Sequence, residues 1–135
     1  MDIIVKNNFY LCCIYVLFAL NGAVQAGHLS SNDCPSKEAI QHEQFDRAIN
    51  IHDDYTWAGI KYSQYNTKIN WIFVLDLSGR RYENEKEAIQ YANETIQLFP
   101  PSDPQMVNTI CQYPGIFSKV PRAVAVPISA PITNQ

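Results

Sequence analysis

Cysteines, histidines, carboxylates and a crowd of aromatics are the groups through which this 135-residue chain can bond, move protons or stack. Of its four cysteines, Cys12 and Cys13 sit inside an apolar run, where they read as filler. Cys34 and Cys111 lie far apart. An oxidising compartment would pair them; the alternative is a catalytic thiol beside a histidine. Cys-x-x-Cys spacing is absent, so neither a zinc site nor a covalently attached haem is expected from them. The three histidines are His28, His42 and His52. His42-Glu43 lacks the second His of a helical His-Glu-x-x-His zinc site. Each histidine reads as a surface imidazole, and no metal site is expected.

Carboxylates are the next candidates. Asp53-Asp54 suits a turn. Asp76 ends an apolar segment, where burial would perturb it. A small hydrolase working through Asp53, Asp54 or Asp76 is one reading, and it needs two such groups facing each other across a cleft. No Gly-x-Ser-x-Gly elbow occurs. The five glycines form no phosphate-cradling loop. With no catalytic motif, the expectation is that the chain is not an enzyme.

The chain has two Trp, eight Tyr and six Phe, and Tyr55, Trp57, Tyr62, Tyr65, Trp71 and Phe73 fall close together. On a hairpin, alternate residues share a face, so such residues build either a stacking platform or a core. Trp57, Tyr62, Tyr65 and Trp71 are the candidate binding residues, with Tyr62 and Tyr65 expected to be the most exposed. A platform would stack a sugar, a porphyrin or a partner side chain. Arg80-Arg81, beside Tyr82, is either an anion contact or a solvated turn.

The elements that hold these side chains are also marked in the sequence. Residues 1–26 read as a signal peptide: Lys6, the apolar run Phe9 to Leu20, then the small residues of Val24-Gln25-Ala26. As a helix that run spans about 18 Å, short of the ~30 Å bilayer core. Cleavage, export to the periplasm or beyond, and no stable membrane insertion afterwards are expected. Ten Lys+Arg against 13 Asp+Glu give a net charge of −3, with 47% hydrophobic residues. That balance excludes a disordered chain and a basic nucleic-acid binder.

Residues 27–116 are expected to form one α+β domain. Cys34-Pro35-Ser36 opens a short helix reaching His42. Phe45 to Ile51 alternates like a strand, although a helix fits too. Strands follow over Tyr55 to Tyr62 and Ile69 to Leu77, joined by a polar hairpin at Ser63 to Lys68. The spacing of Ala88, Ile89, Ala92, Ile96 and Phe99 predicts a long helix over 84–99, with Asn84 and Glu87 as a capping box. It carries Asn93-Glu94-Thr95, a glycosylation acceptor motif. Met106 to Tyr113 reads as one further strand. The sum is a small, mainly antiparallel sheet of about four strands with the long helix packed on it. Residues 117–135 carry Pro121, Pro127 and Pro131 and read as an extended tail, with Arg122 to Val126 at most an edge strand. A Cys34–Cys111 bridge would enclose most of the domain and stabilise it by about 4.5 kcal/mol.

Cys34-Pro35-Ser36, Trp57-Ala58-Gly59 and Cys111-Gln112-Tyr113, behind a signal peptide, form a pattern that resembles small exported bacterial proteins of the Legionella type. Some of those proteins are named hemin-binding. The resemblance implies export and a disulfide and adds haem as an alternative ligand. It carries over no catalytic residue and no haem-ligating histidine. The favoured expectation is an exported, disulfide-stapled module that binds an unidentified protein or small ligand and needs no cofactor.

Overall fold

The computed structural model describes residues 29–99, 103–114 and 121–128. The signal-peptide reading of residues 1–26 lies outside them. After a single 3₁₀ turn (Ser31–Asp33) come α1 (Lys37–His42), β1 (Arg47–Asn50), β2 (Trp57–Ser63) and β3 (Asn70–Asp76). Then follow α2 (Glu85–Ile96), β4 (Gln105–Val107), β5 (Ile110–Pro114) and β6 (Pro121–Ile128). The strands form one sheet in the order β1-β2-β3-β6-β5-β4, and every neighbouring pair is antiparallel.

The α+β class holds, but the sheet has six strands where about four were expected. Two causes account for the difference. The segment read as one strand from Met106 to Tyr113 is a hairpin, turned by Asn108 and Thr109 at φ 50° and 66°. Both central residues take left-handed backbone, the requirement of a type I′ turn. Asn108-Thr109 lacks the glycine that usually announces such a turn. The second cause is β6, which lies between β3 and β5 and not at an edge. Its prolines, Pro121 and Pro127, fall near its two ends, so the run Arg122 to Val126 keeps every amide for its neighbours.

β6 also explains how the core closes. Ala125 pairs with both Phe73 and Cys111, and Ala123 with both Leu75 and Tyr113. These alanines leave room above β6, and the rings of Phe73 and Tyr113 meet across it edge to face at 5.5 Å. On this face α2 lies against β2 at Gly59, where a Cβ would stand 3.2 Å from Ala92 Cβ and from the Phe45 ring. Ala88, Ala92 and Ile96 form the buried stripe of α2. The opposite face gathers Ala58, Ile60, Ile72, Val74, Val124 and Val126, all strand residues and all buried.

Both helices are capped as their sequences require. Ser36 Oγ accepts from the Ala39 amide at 3.1 Å, and Asn84 Oδ1 from the Glu87 amide at 2.9 Å. Glu87 in turn accepts from the Glu83 amide at 2.9 Å, one residue before the expected box partner. α2 stops at Ile96, short of the expected 99, and closes on tight bonds from Leu98 N to Thr95 O and from Phe99 N to Ile96 O. The residue before a proline is pushed out of helical backbone, which fits an end before Pro100. The open carbonyls at the two helix ends are tied together: Gln41 Nε2 donates to Ile96 O, and Gln97 Nε2 to Gln41 O, each at 3.0 Å.

The disulfide Cys34–Cys111 is formed and spans 77 residues of sequence. Beside it the Tyr113 hydroxyl donates to the Pro35 carbonyl at 2.6 Å, and the Met106 amide to Ser31 Oγ at 3.0 Å. The segment that leads into α1 is thus fastened to β4 and β5 at three points.

Candidate functional site

β1 has four residues and β2 has seven. Their register begins at Arg47 opposite Ile60, so Lys61, Tyr62 and Ser63 run on past the end of β1. The chain arriving at β1 turns aside first. Phe45 sends its ring against Phe73 at 5.8 Å. Its backbone is taken by α2: the Phe45 amide donates to Asn93 Oδ1 at 2.7 Å, and Asn93 Nδ2 donates to the Phe45 carbonyl at 3.2 Å. A side-chain amide does here what a neighbouring strand would do.

A hollow of about 740 Å³ opens between this end of β2, the β2–β3 turn and the end of α1. Tyr62, Lys61, His42, Glu43, Asn66 and Asn70 are among its walls. The Ser63 hydroxyl donates to the Glu43 carboxylate and accepts from the Tyr65 amide, fixing the floor. Lys61 Nζ meets Asp46 Oδ2 at 3.2 Å at the rim. The turn is shaped by Tyr65 and Asn66 at φ 48° and 61°. It is braced by Thr67, whose hydroxyl accepts from the Trp71 indole at 2.9 Å and the Ile69 amide at 3.1 Å. The site therefore offers an imidazole, a carboxylate, an ammonium and carboxamides, with Tyr62 at its edge. This donor set suits hydrogen bonding to a polar ligand, while the Tyr62 ring packs against the Ile60 and Ile72 cluster on the opposite face of the sheet.

The candidate aromatics divide sharply. Tyr62 is half-buried at the hollow. Tyr65, expected among the most exposed, is 2% exposed and lies edge-on to Phe73 at 6.1 Å. Burial, with a contribution from Glu43, pushes its hydroxyl well above the ordinary tyrosine range, so it stays neutral. Trp71 is fully buried and belongs to the core. Its inward place follows from the register, which puts it on the face of Phe73 and Leu75 under the helices.

Trp57, Arg80 and Arg81 stand at the other end of β2. Trp57 lies edge to face on Tyr82 at 6.3 Å, and the Tyr82 hydroxyl donates to Leu77 O at 3.1 Å. The Arg80 guanidinium sits 4.4 Å over the Tyr91 ring and 3.8 Å from Glu87, and Arg81 lies 3.6 Å from Asp54. Both arginines are engaged within the chain and neither faces the hollow. The Trp57 indole N–H is buried with no partner among the described residues.

The carboxylates singled out for acid–base work hold turns. Asp53 Oδ1 accepts from the Tyr55 amide, and Asp76 Oδ1 from the Ser78 amide, both at 2.8 Å. His52 is exposed in the same turn as Asp53, and His28 lies outside the described residues. Asn93 of the glycosylation motif is committed to Phe45. Among the described residues no group of three or more His, Cys, Asp or Glu is placed to hold a metal ion, and no helix is long and apolar enough to cross a membrane. No family model, curated protein or solved structure matches the chain.

Sequence reasoning missed Glu43, Ser63, Asn66 and Asn70 and read His42 only as a surface group. The signal for all five is the length mismatch between β1 and β2, and it emerges only once the register is known.

Proposed function

We propose that this chain is an exported, disulfide-stapled binding module that takes a polar ligand in the hollow at the end of β2. The observation that carries this reading is the hollow itself: a space of about 740 Å³ at a strand end, walled by Tyr62, His42, Glu43 and Lys61. Export is supported by the apolar run before residue 26 and by the disulfide, which suits an oxidising compartment. The resemblance to small exported bacterial proteins agrees with it. Binding is preferred over hydrolysis because Asp53 and Asp76 hold turn backbone and Asp54 faces Arg81, away from the hollow.

A second reading, haem binding, is favoured by one observation: His42 and Tyr62, both able to ligate haem iron, line the same space. The polar walls favour the first reading, since a porphyrin needs an apolar slot. The test is a ¹⁵N–¹H titration of the purified, disulfide-bonded chain with neutral disaccharides, capped peptides and hemin in turn. Shifts confined to His42, Glu43 and residues 61–66 are expected. Shifts centred on Trp57 and Arg80, or none with any probe, would refute the site. A Soret shift with hemin that His42→Ala removes would establish the haem reading instead.

A further inference from the structure

We infer that the ligand of this hollow is an extended peptide segment, which adds to β2 as the strand that β1 stops short of supplying. The inference rests on the binding-module reading and names its ligand class. It comes from the direction of the backbone groups. Leu77 N donates to Trp57 O, so Trp57, Gly59, Lys61 and Ser63 turn their amides and carbonyls toward β3. Ala48 N donates outward to Glu85 Oε1, and Ile51 N donates to Thr56 O. Ala58 and Ile60 therefore face β1, and by the same alternation Tyr62 presents its N–H and C=O to the side where β1 has ended. Continuing the register puts Phe45 opposite Tyr62, but both polar groups of Phe45 are held by Asn93. No described residue pairs with the Tyr62 backbone. The stretch past β1 is three residues, about 10 Å of strand. A free strand edge beside open space is the feature that β-strand addition uses.

The chemistry of the walls sets the side chains such a segment would carry. Its residue opposite Tyr62 points to the same face as the Tyr62 ring. The residues on either side of it point to the opposite face, where Glu43 takes the Ser63 hydroxyl and Asp46 pairs with Lys61. An apolar residue flanked by basic ones fits both faces, the basic ones reaching Glu43 and competing with Lys61 for Asp46.

The experiment uses the disulfide-bonded chain and the capped pentapeptide acetyl-Thr-Lys-Val-Lys-Thr-amide, with a second peptide N-methylated at Val as control. In the free protein the Tyr62 amide is expected to exchange with solvent far faster than Ile60. On adding the first peptide, Tyr62 should become protected and residues 61–66 should shift. N-methylation should weaken binding about tenfold, the size of one lost backbone hydrogen bond. A Tyr62 amide already protected in the free chain, or equal affinity for the two peptides, would overturn strand addition. If a neutral disaccharide shifts the hollow and neither peptide does, the peptide inference falls while the binding-module reading stands. If no probe of either kind shifts it, both fall.

Discussion

The two ends of β2 carry the same kinds of residue and do opposite things. At the Trp57 end an indole, two tyrosine rings and Arg80 stack in one run of contacts, and Arg81 pairs with Asp54 at the surface. Trp57 meets Tyr82, and Arg80 covers Tyr91. At the Tyr62 end an aromatic, a cation and a carboxylate surround an open space. Composition does not separate the ends. What separates them is whether a neighbouring element continues alongside the strand: Leu77, Tyr82 and the turn from His52 to Thr56 close one end, and β1 stops before the other. Aromatic density marks a hairpin well, but the strand that runs out of partners marks the hollow proposed as the binding site.

The largest effect expected concerns the staple on which the wall of the open end hangs, since Cys34 leads directly into α1 and Glu43. Replacing Cys34 and Cys111 together by Ser should cost about 4.5 kcal/mol, the entropy of closing so long a loop. Guanidinium unfolding with and without the substitutions measures it. A loss under about 1 kcal/mol would mean that the Tyr113–Pro35 and Met106–Ser31 bonds hold the segment unaided.

Alkali should come next, and it acts on both ends. Tyr65 under the hollow, Tyr82 at the closed end and Tyr113 beside the disulfide all have hydroxyls pushed above the ordinary range, mainly by burial. A folded-state pKa raised above the unfolded value near 10 gives stability that is whole below that pH and is lost as pH rises beyond it. Each group then contributes a loss of up to about 1.4 kcal/mol per pH unit above 10, or about 4 kcal/mol together at pH 11. Melting temperatures from pH 9 to 11.5 test this, and Tyr82→Phe and Tyr65→Phe divide the loss between the two ends. A flat profile to pH 11.5 would show that the rings reach water.

Smaller still is the direct contrast. Trp57→Ala should cost about 3 kcal/mol, as removal of a packed indole does, while Tyr62→Ala should cost about 2 kcal/mol, since its ring packs only at the margin of the Ile60, Ile72 and Val126 cluster. Equal costs in thermal unfolding would abolish the distinction between a closed and an open end.

Much of the fold was legible because its local signals agreed with its packing. Ser36 and Asn84 cap as their positions require, the Ala88–Ala92–Ile96 stripe is the buried one, and the run Trp71 to Leu75 is a central strand. The misses share a cause: each depended on a neighbour remote in sequence. Arg122 to Val126 looked like an edge because prolines flank it, yet the alanines facing the Phe73 and Tyr113 rings make it central. Tyr65 looked exposed because it sits in a polar turn, yet its left-handed backbone turns the ring under the sheet. The hollow was invisible because no residue in it is unusual; a register made it.

Asn93 joins the two halves of that contrast, and its removal is the smallest and most informative perturbation. Its carboxamide holds both backbone groups of Phe45 away from β2. Asn93→Ala should cost about 1–2 kcal/mol for the two partly buried bonds. It should also free the Phe45 amide and carbonyl to pair with Tyr62, lengthening β1 and filling the hollow. Slower exchange of the Tyr62 amide in the Asn93→Ala chain, with weaker binding of any probe that enters the hollow, is the expected pair of results. If Tyr62 exchanges as fast as before, the open end is set by the packing of the Phe45 ring on Phe73 and Gly59, and the side-chain clamp only trims the edge.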